Sequence, residues 1–193
     1  MTFDTSTALV VVDCQNDFAD PEGSLYVVGA ADVISHTNRL IIQAVAAGSP
    51  VYYTQDWHPE STPHFQKDGG IWPVHCVAET WGAQLHPRLI DAGPKIRKGV
   101  HGEDGYSGFT MRDPETGNET PTRLNAMLES AGVERVVVAG LALDYCVKAT
   151  ALDSVGLGYH TELPLRASAA VEMEPGDADR AQDELSEVGV ELT

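Results

Sequence analysis

The sequence is poor in cysteine: Cys14, Cys76 and Cys146 stand far apart, odd in number and without CxxC spacing. That argues against a disulfide scaffold or a cysteine-based zinc site. No apolar run approaches the roughly 20 residues that a membrane span needs. Basic residues are scarce, with 12 Lys and Arg against 29 Asp and Glu, a formal net charge of −17. Such a charge repels nucleic-acid phosphates and anionic lipid, so neither nucleic acid nor membrane is an expected partner. Internal repeats and low-complexity linkers are missing. So is a basic region ahead of the first apolar run, which ends at Asp13; the start is not read as a signal peptide, and a cytoplasmic protein is expected. What is there fits one ordinary domain, taken as 1–193, with 42% hydrophobic residues. The acids are spread widely, with some clustering in "EMEPGDADRAQDELSEVGVE", and suit a solvated surface.

Short β-rich runs alternate with helical stretches. Strands are expected at 7–13, 50–55, 95–99, 135–141, 159–165 and 190–192. Helices are expected at 31–48, 120–132, 144–158 and 177–189, the second opened by Thr120 as N-cap and Pro121 at the first helical position. Strands buried on both faces and alternating with helices predict a three-layer α/β/α fold around a parallel, Rossmann-like sheet. Ligands bind such sheets at the carboxyl ends of the strands. Asp13, Asp56 with His58, Lys98 and Cys146 all follow predicted strands at that edge. The aperiodic segment 56–94 is long for a loop, which points to function.

Within it, "QDWHPESTPHFQKDGGIWPVHCV" holds Asp56, His58, His64 and His75. D-x-H at a strand end turns both side chains to one side. Three imidazoles and a carboxylate suit one divalent metal ion: Zn²⁺ first, with Fe²⁺ or Mn²⁺ as alternatives. The spacing alone is equally compatible with histidines that merely sit in turns. His36, His86, His101 and His160 are scattered and read as surface or packing residues. In "VVVAGLALDYCVKATAL", Cys146 falls in the first turn of a helix, where backbone N–H groups lower a thiol pKa, with Asp144 or the preceding turn as cap. Asp13 and Lys98 are its expected neighbours. Locally, a buried structural cysteine is the commoner outcome, and Cys14 and Cys76 are assigned to packing.

In order, "VVVDCQNDF", "DWHPESTPHF", "WPVHCV", "RKG…GYSGF" and "GLALDYCVKATALD" resemble the nicotinamidase (pyrazinamidase) group of the isochorismatase-like cysteine hydrolases. The resemblance runs from about Leu9 to Asp153 and is weaker beyond. It implies a six-stranded parallel sheet, a catalytic triad of Asp13, Lys98 and Cys146, and metal ligands Asp56, His58, His64 and His75. It further implies a cis peptide at Leu141–Ala142, and an oxyanion hole from the Ala142 and Cys146 amides. The implied pocket is walled by Phe18, Leu25, Trp72, Tyr106, Leu141 and Ala142. The implied reaction converts nicotinamide to nicotinic acid and ammonia through a cysteine thioester, in NAD salvage, with pyrazinamide as a second substrate and the metal on the pyridine nitrogen. A homo-oligomer is left open. Other enzyme readings are an amidase acting on a different carboxamide or carbamoyl group and a hydrolase using metal-bound water. The non-enzyme reading is a silent binding domain. Departures from the family pattern are Tyr145, where a histidine is often seen, the acids in "GVHGEDGYSGF", and the divergent "LRASAAVEMEPGD".

Overall fold

A computed structural model describes residues 2–193. Six strands form one parallel sheet: β1 (Thr7–Val12), β2 (Val51–Asp56), β3 (Lys95–Lys98), β6 (Arg135–Leu141), β7 (His160–Leu163) and β9 (Glu191–Leu192). Their order is β3-β2-β1-β6-β7-β9. A two-residue β8 (Ser168–Ala169) extends this sheet beside the end of β6, a seventh strand that the sequence pattern is too short to reveal. The antiparallel pair β4 (Thr110–Arg112) and β5 (Glu119–Pro121) stands apart from it.

Alternation along β1 decides the layers. Leu9 and Val11 pack with Ile41 and Ala44 of α2 (Ala30–Ala47) on one face. Ala8, Val10 and Val12 pack with Leu124 and Leu128 of α3 (Leu124–Ser130), Ala151 of α4 (Lys148–Gly156) and Leu185 of α5 (Asp177–Glu187) on the other. Every residue of β1 is buried, as expected for a parallel strand covered on both sides. A short helix, α1 (Asn16–Ala19), follows β1 directly. The strand order reverses between β1 and β6, and such a switch point opens a crevice at the strands' carboxyl ends.

Two local expectations fail. The stretch 120–132 does not begin as a helix: Glu119–Pro121 pairs with Thr110–Arg112, and α3 starts at Leu124. Tertiary pairing takes Thr120 and Pro121, while the hydroxyl of Thr122 accepts the Leu124 N–H at 3.1 Å. The helix expected at 144–158 is preceded by a π-helical turn over Leu143–Val147, and Cys146 lies in that wider turn. Asp144 does not cap it. Its carboxylate instead accepts the N–H groups of Val171 and Glu172 at 3.0 and 2.9 Å. That contact draws the divergent segment onto the mouth of the crevice.

Candidate active site

Four strand ends deliver the chemistry. Asp13 follows β1 in the left-handed region, φ 46°, a conformation aspartate tolerates better than most residues. The Thr54 hydroxyl, on β2, donates to its carboxylate at 2.6 Å. β2 and β3 end in register, Asp56 opposite Lys98. β6 approaches β1 so closely at Gly140 that a Cβ there would lie 2.0 Å from the Val12 carbonyl oxygen. Only glycine permits that approach, and it sets the segment after β6 against the end of β1. The Leu141–Ala142 peptide is cis, as the resemblance implied.

Lys98 is fully buried. Its Nζ lies 2.7 Å from Asp13 Oδ2 and 3.6 Å from Cys146 Sγ, and donates also to Asp56 Oδ1 and to the Gly105 carbonyl. Oxygens of Asp13 and Asp56 and the sulfur of Cys146 all lie within 4.8 Å of one another. The Lys98 ammonium already sits within this cluster, which leaves the side of Asp56 that faces the histidines as the place for a metal.

The environment moves the ionisations. Burial pushes Asp13 up to about 6, against the opposing pull of Lys98. Burial penalises the Lys98 ammonium, but the two carboxylates outweigh this and hold it charged well above the ordinary range. For Asp56 burial is likewise outweighed, by Lys98 and then His58, so the carboxylate is held well below its ordinary value. The Cys146 thiol is pushed well up, chiefly by burial and only partly countered by Lys98. Burial thus opposes the lowering expected from the helix turn. Burial also raises the Cys14 and Cys76 thiols, consistent with packing roles.

One end of the crevice carries three imidazoles. Ring nitrogens of His58, His64 and His75 lie within 4.8 Å of one another. Asp56 Oδ2 lies 3.7 Å from His58 Nε2 and 3.8 Å from His75 Nε2, so one carboxylate faces both Lys98 and the histidines. His75 Nδ1 donates to the Pro73 carbonyl at 2.7 Å, leaving Nε2 for a ligand. Burial depresses His75 to about 4, which keeps that ring neutral. Both ring nitrogens of His58 are buried without a hydrogen-bond partner. A buried imidazole normally finds a partner, and a divalent cation would satisfy Nε2. The donor set of three imidazoles and one carboxylate fits Zn²⁺, Fe²⁺ or Mn²⁺.

Between the imidazoles and Cys146 lies a small cavity. All six residues expected to wall it do so: Phe18, Leu25, Trp72, Tyr106, Leu141 and Ala142. Trp72 Nε1 donates to the Tyr106 hydroxyl at 2.9 Å. Tyr145 and Val171 also line it. Tyr145 packs edge-on against Trp72 at 4.7 Å between ring centroids, and its hydroxyl donates to Met173 Sδ at 3.3 Å. Both belong to the departures from the family pattern: Tyr145 beside Cys146, and Val171 in the divergent "LRASAAVEMEPGD".

Sequence reasoning also missed two supports. The Gln15 amide donates to the Asp56 carbonyl at 2.7 Å and accepts the Asp56 N–H at 2.8 Å, fixing the end of β2. The Asp17 carboxylate accepts the Cys76 N–H at 2.7 Å, anchoring the turn after His75. Both lie in "DCQNDF", where two more polar residues between buried neighbours were the only hint.

A parallel α/β sheet with a cysteine, a lysine and an aspartate converging at its switch point defines a cysteine-hydrolase-like site. The chain belongs to the isochorismatase family: the Isochorismatase domain matches residues 7–193. Among its relatives, it is similar to a nicotinamidase of Escherichia coli, 34% identical, with 96% of this chain and 93% of that protein covered. It is also similar to the zinc complex of a pyrazinamidase from Pyrococcus horikoshii, 35% identical with a TM-score of 0.86, covering 97% of this chain and 98% of that one. A protein from L. infantum, crystallised with nicotinate, is 36% identical with a TM-score of 0.88 over 100% of this chain and 95% of that one.

Proposed function

We propose that this chain is a metal-dependent amidohydrolase that converts nicotinamide to nicotinic acid and ammonia, in NAD salvage, with Cys146 as nucleophile. The observation that carries the reading is Lys98. One buried ammonium faces Asp13, Cys146 and Asp56, and Asp56 also faces the histidines, so nucleophile and metal site share a wall. The zinc in the Pyrococcus relative and the nicotinate in the L. infantum relative support the same ligands here. Pyrazinamide, with a similar ring and the same carboxamide, is a second substrate.

Asp56, His58, His64 and His75 would hold the cation. When bound, it supplies a Lewis acid for a ring nitrogen and so a fixed anchor for the substrate. The aromatic wall of Phe18, Trp72, Tyr106 and Tyr145 holds the ring and excludes water. Asp13 takes the Cys146 proton, and the Lys98 charge stabilises the thiolate. The thiolate attacks the carboxamide carbon. The Ala142 and Cys146 N–H groups receive the oxyanion. Asp13 returns the proton to the departing nitrogen, and ammonia leaves a thioester on Cys146. Water then attacks with Asp13 as base, nicotinic acid is released, and the proton returns to sulfur. Asp13, raised to about 6 and so ionised at neutral pH, accepts the thiol proton and can return it to the leaving nitrogen.

Three free cysteines fit a reducing compartment such as the cytoplasm. Among the described residues no helix is long and apolar enough to cross a membrane.

The test is ammonia release by the zinc-loaded protein. Turnover of nicotinamide, lost with stoichiometric metal in His58→Ala, is expected. Turnover of some other amide with none of nicotinamide would refute the substrate. Full metal retention in His58→Ala would refute the ligand set.

A further inference from the structure

The acids of "GVHGEDGYSGF" are not used by the reaction, yet they separate sharply in space. Glu103 closes a local turn, its carboxylate accepting the His101 N–H at 2.8 Å. Asp104 instead reaches a residue forty positions away: its Oδ1 lies 2.8 Å from His64 Nδ1. We propose that Asp104 is a positioning residue for the metal site, holding His64 as the Nδ1–H tautomer so that Nε2 faces the cation. The proposal rests on the metal reading above and assigns a role to a residue outside the ligand set.

The three imidazoles are oriented by different means. His75 is fixed by its own chain through the Pro73 carbonyl, two residues earlier. His58 is fixed by packing. Gly99 lies against its ring so tightly that a Cβ would come within 2.6 Å of it. His64 has neither device. It stacks on His58 at 4.9 Å and tilts against Tyr106 at 5.6 Å, contacts that leave its nitrogens unassigned. A carboxylate that accepts from Nδ1 selects the tautomer and raises the basicity of the other nitrogen.

Asp104 is itself placed by backbone. Its N–H donates to the Arg112 carbonyl at 2.7 Å, and its carbonyl accepts the Arg112 N–H at 3.0 Å. Arg112 belongs to β4, which pairs with β5. The small hairpin thereby braces the loop that also carries Tyr106 and the Gly105 carbonyl that accepts from Lys98. A second tie joins the two loops, the Thr62 hydroxyl donating to the Gly102 carbonyl at 2.9 Å.

The test compares Asp104→Ala with Asp104→Asn. An asparagine oxygen still accepts from Nδ1–H, whereas alanine offers nothing. Zinc affinity is read by competition with a chromophoric chelator. Asp104→Ala should weaken it about 10- to 100-fold, and Asp104→Asn should restore most of that loss. The His64 tautomer is read in the metal-free full-length protein by long-range ¹H–¹⁵N NMR. Wild type and Asp104→Asn should show Nδ1–H, and Asp104→Ala should lose that preference. Zinc affinity within twofold of wild type in Asp104→Ala, or an asparagine variant as weak as alanine, overturns the proposal. So does a wild-type His64 that carries its proton on Nε2. A wild type with the expected tautomer but no zinc binding overturns the metal reading, and this role with it, by a different signature.

Discussion

Lys98→Met tests the charge arrangement most directly. Methionine has nearly the length of lysine and fits the same buried channel, so the change removes a charge rather than volume. It leaves the Asp13 and Asp56 carboxylates buried and facing one another without the ammonium 2.7 Å from Asp13. Removing one partner of a buried ion pair costs about 3–5 kcal/mol, because the other is left uncompensated. At about 2–4 °C per kcal/mol for a chain of this size, the metal-free protein should melt about 6–20 °C lower. Activity should fall by at least about a thousandfold, since a charge partner of the nucleophile acts as one unit with it. Adding Asp13→Asn should recover part of the lost stability but none of the activity. Bound zinc should narrow the gap, since a cation beside Asp56 replaces part of the missing charge. Differential scanning calorimetry with and without a chelator measures both. A metal-free Lys98→Met protein melting within about 2 °C of wild type would refute the reasoning. So would a double variant less stable than Lys98→Met alone.

Cys146→Ala should abolish ammonia release and retain zinc at one equivalent with an unchanged melting profile; residual turnover at wild-type rate would favour metal-activated water. Asp13 must be ionised to accept the thiol proton, and burial holds its carboxyl at about 6. The rate should therefore drop about tenfold per pH unit below that value, with the limb shifted lower by bound metal; a rate flat down to pH 4 would remove Asp13 as the base. Tyr145→Ala opens the wall beside Trp72, so KM for nicotinamide should rise about three- to tenfold, as expected for the loss of one aromatic contact. The same variant should gain turnover of ring-substituted nicotinamides, and an unchanged substrate profile would place Tyr145 outside the specificity wall.

Much of this site is legible in the sequence. Strand periodicity located β1, β2, β3 and β6 to within a residue or two, and residues that end parallel strands share an edge by construction. That placed Asp13, Asp56, Lys98 and Cys146 together without knowledge of a distance. The spacing of Asp56, His58, His64 and His75 named a donor set, although spacing alone did not separate ligands from ordinary turn histidines. The resemblance implied a pocket wall, and the structure sets Phe18, Leu25, Trp72, Tyr106, Leu141 and Ala142 around the cavity. Local rules misled where tertiary contacts competed with them. Thr120 and Pro121 read as a helix start, but β4 pairs with them first. Asp144 read as a cap, but the N–H groups of Val171 and Glu172 take its oxygens.

The sequence by itself determined the order of the six main strands, the parallel sheet and the residue types at its carboxyl edge, because these follow from periodicity along a single segment. Only the tertiary structure decided how one ammonium is shared among Asp13, Asp56 and Cys146, and that the thiol is raised rather than lowered. It alone joined Asp104 to His64 and Gln15 to Asp56. The physical reason is the same in each case. Desolvation and hydrogen-bond geometry depend on groups that are distant along the chain, and their meeting is settled by strand register and loop packing, which no local pattern encodes.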